Sequence, residues 1–337
     1  MPPHPFVDSE GIKMTLIEVD ALTIQVIVDN TTDSLSSVPS NVVHEMAYLE
    51  DHGMKELAGE CLCCGAHGLS LLLTASKGSI HHRVLFDAGP EGEVFQRNIS
   101  KLKIDPSIIE EIVLSHGHWD HAGGFLTALK LIKNINPQQK VVFQLNPGMF
   151  HRRATKFGGV VHPFKKIPSI EELNNLGAAV VNSDEARLLL DNMFYLSGEI
   201  PRVTDYEKGF PEHVRQLPNQ EWVPDPLILD ERFLVVNVRN KGLVVFSACS
   251  HAGIINVLTH AQKLFPEIPL YAVMGGFHLS GCSVEKIIQK TVEDMKQFNL
   301  KMIIPAHCTG WRAVNALGNV FGDNIIVPSA VGRLYQF

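Results

Sequence analysis

The chain has 337 residues, of which 45% are hydrophobic and 19% are charged, so it is long and apolar enough to bury a sizeable core. Its formal net charge is −7 and its lysines and arginines are scattered, which argues against a surface that follows nucleic-acid phosphates. No apolar stretch approaches bilayer-spanning length, and the first residues lack the pattern of a secretory signal. We therefore expect a cytoplasmic protein with one domain over residues 1–337 and no nucleic-acid or membrane partner.

Short apolar runs bounded by Gly, Pro, Asn or Asp alternate with amphipathic stretches along the chain. The runs predict strands and the amphipathic stretches predict helices. Their order predicts an α/β fold in which two sheets are covered by helices. The predicted strands are 22–29, 69–75, 83–86, 111–114, 140–145, 232–238, 243–247, 269–274 and 301–304, and the predicted helices are 91–101, 122–133, 252–265, 283–298 and 310–317.

The stretch 197–230 is rich in proline, glutamate and aromatic residues and has little periodicity. It is predicted to be a loop that lies over the functional site as a lid.

A dense group of metal-ligating residue types follows the predicted strand 111–114. Residues 115–124 read SHGHWDHAGG and place His116, His118, Asp120 and His121 within six positions. Three imidazoles and a carboxylate are more ligands than one tetrahedral ion takes from a short turn, which indicates two adjacent ions. A His-rich surface turn is the alternative, but this spacing is rare by chance.

The ligand loop and the apolar strand that ends in Asp87-Ala88-Gly89 resemble the metallo-β-lactamase superfamily. Further blocks are similar to the subgroup that includes dihydropterin–ribofuranosylaminobenzene phosphate synthase. The resemblance runs from about residue 22 to the C-terminus, apart from an insertion near 33–60. These blocks are VDN at 28–30, AHGLS at 66–70, SGEIPR at 197–202, ACSHAGI at 248–254, GGFHL at 275–279 and PAHCTG at 305–310.

The resemblance implies an αββα four-layer sandwich with two divalent metal ions, for which we expect zinc, with manganese or iron as alternatives. It assigns His116 and His118 to the first ion, and Asp120 and His121 to the second. His251 and His307 follow apolar strands, so each is expected to complete one ion. The predicted ligands are thus His116, His118, Asp120, His121, His251 and His307.

The sequence departs from the superfamily at one strand end. The common pattern there is Gly-Asp, whose carboxylate bridges the ions, whereas this chain has Ala248-Cys249. A thiolate binds zinc at about 2.3 Å, so Cys249 either replaces the carboxylate or leaves the bridge absent.

Four residues are expected to act on the substrate. Asp120 would orient a water and accept its proton, and His278 would donate a proton or contact the substrate. Arg202 is a candidate for binding an anionic group, and His67 for the pocket wall. His151, His162 and His213 are expected to have no role in the site.

The expected function is metal-dependent hydrolysis of a small, anionic or phosphorylated substrate, because a bound ion lowers the pKa of water towards about 7. Three alternatives stay open. One is the synthase reaction, a transfer that releases pyrophosphate, and another is an iron-dependent oxidoreductase of the same fold. The third is a non-catalytic binding or regulatory protein that keeps the fold, against which the intact ligand cluster argues. His118 stands where the flavodiiron branch typically has Glu, which lowers the odds of the oxidoreductase. The sequence leaves a homodimer open.

Overall fold

In a computed structural model of the protein, which describes residues 6–7 and 13–337, two large β-sheets pack face to face and carry helices on their outer faces. This is the αββα layering that the sequence predicts. The expectation of one domain over the whole chain stays a prediction.

The first sheet has eight strands within the described residues. Its middle strands are parallel where Ile80–Phe86 lies beside Glu111–Val113, and antiparallel where it lies beside Ser70–Lys77. In spatial order the strands are Ala178–Asn182, Val141–Leu145, Glu111–Val113, Ile80–Phe86, Ser70–Lys77, Ala21–Val28, Leu334–Gln336 and Val42–Val43.

The second sheet has seven strands in the same part of the chain, and three neighbours on one side of it are parallel. A separate short hairpin pairs Phe6–Val7 with Lys13–Met14. In spatial order the second sheet contains Arg187–Leu189, Phe194–Leu196, Leu234–Val238, Gly242–Ser247, Leu270–Gly275 and Met302–Pro305, and Glu18–Val19 also pairs with Leu234–Val238.

The main core lies between the sheets. Along strand Gly242–Ser247, Val244 and Phe246 join the central cluster, whereas Leu243 and Val245 face the outer helices. This alternation follows from the two-residue period of a strand, and it explains why the strand is apolar throughout: both of its faces are buried. Burying each such side chain contributes about 2 kcal/mol relative to exposing it.

Six of the helices cover the two outer faces of the sandwich. Those on the first sheet pack over Leu85 and Phe143, and those on the second pack over Val245 and Val273. The first set is Gly92–Lys101, Phe125–Ile135 and Ile170–Asn175, and the second is Ile254–Leu264, Ile288–Met295 and Trp311–Phe321. The remaining α-helices of the described chain are Glu45–Asp51 and the single turn Trp119–Ala122, and 3₁₀ turns occur at Pro106–Ile108, Pro147–Phe150, Glu285–Ile287, Lys296–Phe298 and His307–Thr309.

A smaller four-stranded antiparallel sheet corrects the prediction of a loop over residues 197–230. Two strands form inside that stretch, and one of them pairs with Arg153–Phe157, which the sequence analysis did not predict to be a strand. Pairing satisfies backbone groups that a loop would leave to water. In order, its strands are Val160–Pro163, Arg153–Phe157, His213–Gln216 and Trp222–Pro224.

The structure also contains elements that the sequence analysis did not predict, among them helix Ile170–Asn175 and strands Ala178–Asn182, Arg187–Leu189, Phe194–Leu196 and Leu334–Gln336. The helix expected over 122–133 is split, because the turn Trp119–Ala122 precedes Phe125–Ile135. The segment near 33–60 contains strand Val42–Val43 and helix Glu45–Asp51. Among the described residues, every helix falls short of the length and apolar character that crossing a membrane requires.

Candidate metal centre

The predicted ligands lie where the carboxyl ends of strands from both sheets meet. The loop that begins at Ser115 follows strand Glu111–Val113 of the first sheet. The second sheet presents its ligands after parallel strands, so their side chains reach the same edge. Cys249 and His251 follow Gly242–Ser247, His278 follows Leu270–Gly275, and His307 follows Met302–Pro305.

Asp87 fixes the shape of the ligand loop. It follows strand Ile80–Phe86, is fully buried and has a φ of 60°. One carboxylate oxygen accepts a hydrogen bond from the Ser115 amide at 2.8 Å. The other accepts from the Ser115 hydroxyl and from His121 Nδ1, both at 2.7 Å. His121 therefore keeps Nε2 free to face the site.

A first group of donor atoms comes from three buried histidines. His116 Nε2 lies 3.0 Å from His118 Nδ1 and 3.2 Å from His251 Nε2. The three ligand atoms lie within 4.8 Å of one another. This is the set that the sequence assigns to the first ion, with His251 brought in from the second sheet.

A second group surrounds the carboxylate of Asp120. Its Oδ2 lies 3.4 Å from His307 Nε2, 3.4 Å from His67 Nε2 and 3.9 Å from His121 Nε2. Asp120, His307 and His67 form a group able to hold an ion, because their ligand atoms lie within 4.8 Å of one another. His67, expected only as part of the pocket wall, is therefore also a candidate ligand, although its side chain is 59% exposed.

The separations between donor atoms suit a divalent ion. Two nitrogens bound to zinc at about 2.05 Å with tetrahedral angles lie about 3.3 Å apart. The contacts of 3.0 and 3.2 Å around His116 and of 3.4 Å around Asp120 are close to that value. That the predicted ligands bind ions stays a prediction.

The second nitrogen of most of these rings has a partner outside the cluster. His116 Nδ1 lies 2.9 Å from the Ser115 hydroxyl, and His307 Nδ1 donates to Asn30 Oδ1 at 2.9 Å. Such partners fix the ring orientation and leave Nε2 as the ligand atom. Among the described residues His251 Nδ1 has no partner.

Burial sets the charge state of the cluster. Burial and the neighbouring imidazoles hold the pKa of His116, His118 and His251 well below the usual range. Burial alone would raise the pKa of Asp120, but the facing His121 and His307 outweigh it and lower that pKa. At neutral pH these three histidines are thus uncharged and the carboxylate is ionised, which are the forms that bind metal. Burial would lower the pKa of His121, but the facing carboxylates of Asp120 and Asp87 outweigh it and raise that pKa.

His213 is a residue of the site that the sequence analysis missed. It is fully buried, and its Nε2 lies 3.0 Å from His118 Nε2. Its Nδ1 donates to the carbonyl oxygen of Asp225 at 2.7 Å. The expectation that His213 lies outside the site is wrong, because strand His213–Gln216 carries its ring inward to His118. His151 and His162 are exposed, as expected.

An open cavity of about 260 Å³ gives access to the ligands. His278 lies on its wall with its ring centroid 4.4 Å from that of His251 and 4.9 Å from that of Phe210. Burial and the neighbouring His307 lower the pKa of His278 to about 4, so its ring is neutral at pH 7. The cavity is lined by His67, His118, Trp119, Asp120, Thr155, Phe164, Phe210, Cys249, His251, His278, Ser280, His307 and Cys308.

Arg202 lies differently from the expectation. Its guanidinium donates to the carbonyl oxygens of His251, at 2.9 Å, and of Leu227, and it does not line the cavity. These contacts tie the backbone at His251 to the backbone at Leu227. They favour a structural role for Arg202 over a contact with substrate. Direct binding of an anion by Arg202 stays a prediction.

Comparison with known proteins agrees with this geometry. The profile of the metallo-β-lactamase superfamily matches residues 78–137, which include Asp87 and the ligand loop. The 7,8-dihydropterin-6-methyl-4-(β-D-ribofuranosyl)-aminobenzene-5′-phosphate synthase of Methanocaldococcus jannaschii is 32% identical over 279 residues, which are 80% of this chain and 90% of the relative. The chain belongs to the metallo-β-lactamase superfamily. Within it, the chain falls in the subgroup that includes this synthase.

The chain is also similar to a second sequence relative and to solved structures. An uncharacterized protein of M. jannaschii, MJ0448, is 30% identical over 268 residues, covering 80% of this chain and 92% of the relative. The crystal structure of Tm1679, a metal-dependent hydrolase of the β-lactamase superfamily, superposes with a TM-score of 0.67 at 23% identity, covering 94% of this chain and 98% of that one. Unliganded yeast PDE1 gives a TM-score of 0.53 at 10% identity, over 95% of this chain and 100% of that one.

Proposed function

We propose that this superfamily member is a metal-dependent hydrolase of a small, anionic or phosphorylated substrate, with two divalent ions held by the candidate centre. The observation that carries the proposal is the position of Asp120. Its carboxylate stands 3.4 Å from His307 Nε2 and lines the open cavity, so one residue faces both the ligands and the incoming substrate.

The donor set fits zinc, manganese or iron, because imidazole and carboxylate suit all three. His116, His118 and His251 would hold one ion, and Asp120, His121 and His307 the other. When bound, such ions lower the pKa of a coordinated water and polarise the group that is attacked.

Asp120 would orient the attacking water and accept its proton. Its lowered pKa keeps the carboxylate ionised at neutral pH, and the ionised form is a hydrogen-bond acceptor only. A positioned acceptor of this kind contributes about 10²- to 10⁴-fold to rate.

His278 would bind the substrate oxygen or the leaving group. Because its pKa is near 4, the neutral ring offers one N–H donor and no positive charge at pH 7. Trp119, Phe164 and Phe210 line the same cavity, so an apolar part of the substrate would pack against them and displace water.

A substrate screen tests the proposal. Protein loaded with zinc or manganese is assayed against chromogenic phosphomonoesters, phosphodiesters, carboxylic esters and lactones, together with Asp120→Asn. We expect hydrolysis of at least one class and a loss of about 10²-fold or more in kcat for the variant. His162→Ala, at an exposed position, is the control. Equal turnover by wild type and Asp120→Asn would contradict the assignment.

A transferase is the second candidate, since the relative with 32% identity is named a synthase. In that case an organic nucleophile would take the place of water and the leaving group would be pyrophosphate. Pyrophosphate release from a pterin diphosphate that depends on an added aminobenzene riboside would favour this reaction over hydrolysis. Iron found in protein purified without added metal would instead favour the oxidoreductase alternative.

A further inference from the structure

Cys249 occupies the space between the two groups of donor atoms. It is buried, and its Sγ lies 3.2 Å from His121 Nε2. With His116 and His121 it forms one set of atoms that lie within 4.8 Å of one another. With His307 and Cys308 it forms a second such set, so a single sulfur faces ligands of both expected ions.

A second sulfur stands beside it. The Cys308 Sγ lies 3.6 Å from the carbonyl oxygen of Cys249, and both cysteines line the cavity. Gly276 packs directly on this thiol, because a Cβ at position 276 would stand 2.5 Å from the Cys308 Sγ. The thiol is thus confined to the site by the backbone of a neighbouring strand end.

The separation between sulfur and nitrogen suits a shared ion. Zinc binds a thiolate at about 2.3 Å and an imidazole at about 2.05 Å, so a tetrahedral angle places the two atoms about 3.6 Å apart. The distance of 3.2 Å from Cys249 Sγ to His121 Nε2 is slightly shorter than that, which a modest narrowing of the angle accommodates.

We propose that Cys249 and Cys308 supply thiolate ligands to the metal centre: Cys249 would be available to either ion, because it is grouped with His116 and His121 and also with His307, and Cys308 would act beside His307. The inference rests on the proposed metal centre but not on the reaction that it catalyses. Thiolates are soft ligands, so their participation would shift the preference of the centre towards zinc and away from manganese, which the imidazole and carboxylate ligands alone would accept. Each bound thiol loses its proton to solvent when the ion enters.

Cobalt spectroscopy tests the ligands directly. Metal-free protein is titrated with Co²⁺, and the near-ultraviolet band from thiolate to cobalt is recorded for wild type, Cys249→Ala, Cys308→Ala and Cys249→Asp. We expect loss of most of the band in Cys249→Ala and loss of part of it in Cys308→Ala. Cys282→Ala is the control, because Cys282 is exposed and lies outside the cavity lining.

Cys249→Asp separates a lost ligand from a lost fold. It should bind as much cobalt as wild type while losing the same part of the sulfur band as Cys249→Ala, because a carboxylate replaces the thiolate. Alkylation with iodoacetamide, mapped by mass spectrometry, gives an independent readout. Zinc should protect Cys249 and Cys308 but leave Cys282 as reactive as in the metal-free protein.

The outcomes that would overturn the inference distinguish the thiol ligands from the metal centre itself. If wild type binds cobalt without a sulfur band, or if the band is unchanged in Cys249→Ala and in Cys308→Ala, the thiols are not ligands although the metal centre stands. If wild type binds neither cobalt nor zinc, the metal centre fails, and the proposed function fails with it.

Discussion

The Nε2 atoms of His118 and His213 lie 3.0 Å apart, and both rings are buried. His213 Nδ1 donates to the Asp225 carbonyl oxygen, so its Nε2 carries a lone pair. His118 must then donate its own Nε2–H, which leaves Nδ1 as the atom that faces His116. We therefore expect His213 to act as a positioning residue that selects the ligand atom of His118.

Substituting His213 by alanine is expected to weaken binding of the first ion by about 10- to 100-fold, the usual effect of removing a partner of a metal ligand. Competition with a chromogenic chelator measures the affinity. His162→Ala, at an exposed position on the edge strand of the same small sheet, is the control and should bind as wild type does. Equal affinities for wild type and His213→Ala would show that His118 is oriented without this partner.

His251 is expected to complete the first ion, because its Nε2 lies 3.2 Å from His116 Nε2. Its replacement by alanine should lower the metal content from about two ions per chain towards one, since three protein ligands are the usual minimum for a tight site. Elemental analysis after dialysis measures this. The exposed His151 provides the matched alanine control. Full stoichiometry together with full activity would exclude His251 as a ligand.

Lys165 and Lys166 are further residues that we expect to bind the anionic part of a substrate, besides Arg202. They line an adjoining cavity of about 370 Å³ that shares Trp119 with the metal cavity. Replacing both lysines by alanine should weaken binding of a phosphorylated analogue by about 5-fold, as for exposed charge pairs, and leave a neutral analogue unaffected. Calorimetry measures both, with the exposed Lys140→Ala as control. An equal loss for both analogues would exclude a charge effect.

Glu207 is expected to make stability depend on pH. Burial raises its pKa to about 7, even though it accepts from the amides of Ile255 and Asn256 at the start of helix Ile254–Leu264. The pKa of Glu207 is higher in the folded than in the unfolded protein. The stabilisation that its protonated carboxyl gives the fold is therefore complete below about pH 4 and is lost as the pH rises through 7. Between pH 5 and 8 the loss amounts to about 2 kcal/mol.

Urea unfolding of metal-free wild type and Glu207→Gln at pH 5 and pH 8 measures this effect. The free energy of unfolding should fall with pH by about 2 kcal/mol more for wild type than for the variant, whose side chain does not titrate. The comparison between the two pH values cancels the constant effect of the altered hydrogen bonds. Parallel pH dependence in the two proteins would assign the titration to another group.

Much of the fold, and the grouping of most of the candidate ligands, follows from the sequence alone. The ligand loop is local: His116, His118, Asp120 and His121 share one turn whatever the rest of the chain does. The apolar runs that become the strands of both sheets are also local signals, because strands buried on both faces have few polar positions. These features predicted the αββα layers and the residues that follow the strands.

Only the tertiary structure decided which distant groups join the loop. His213 reaches His118 because its strand pairs with Arg153–Phe157, and Arg202 turns to the carbonyl oxygens of His251 and Leu227. The contact of Cys249 with His121 likewise spans the two sheets. Such contacts depend on how the sheets stack, which is the sum of many weak packing terms spread over the chain, and no short segment carries that information.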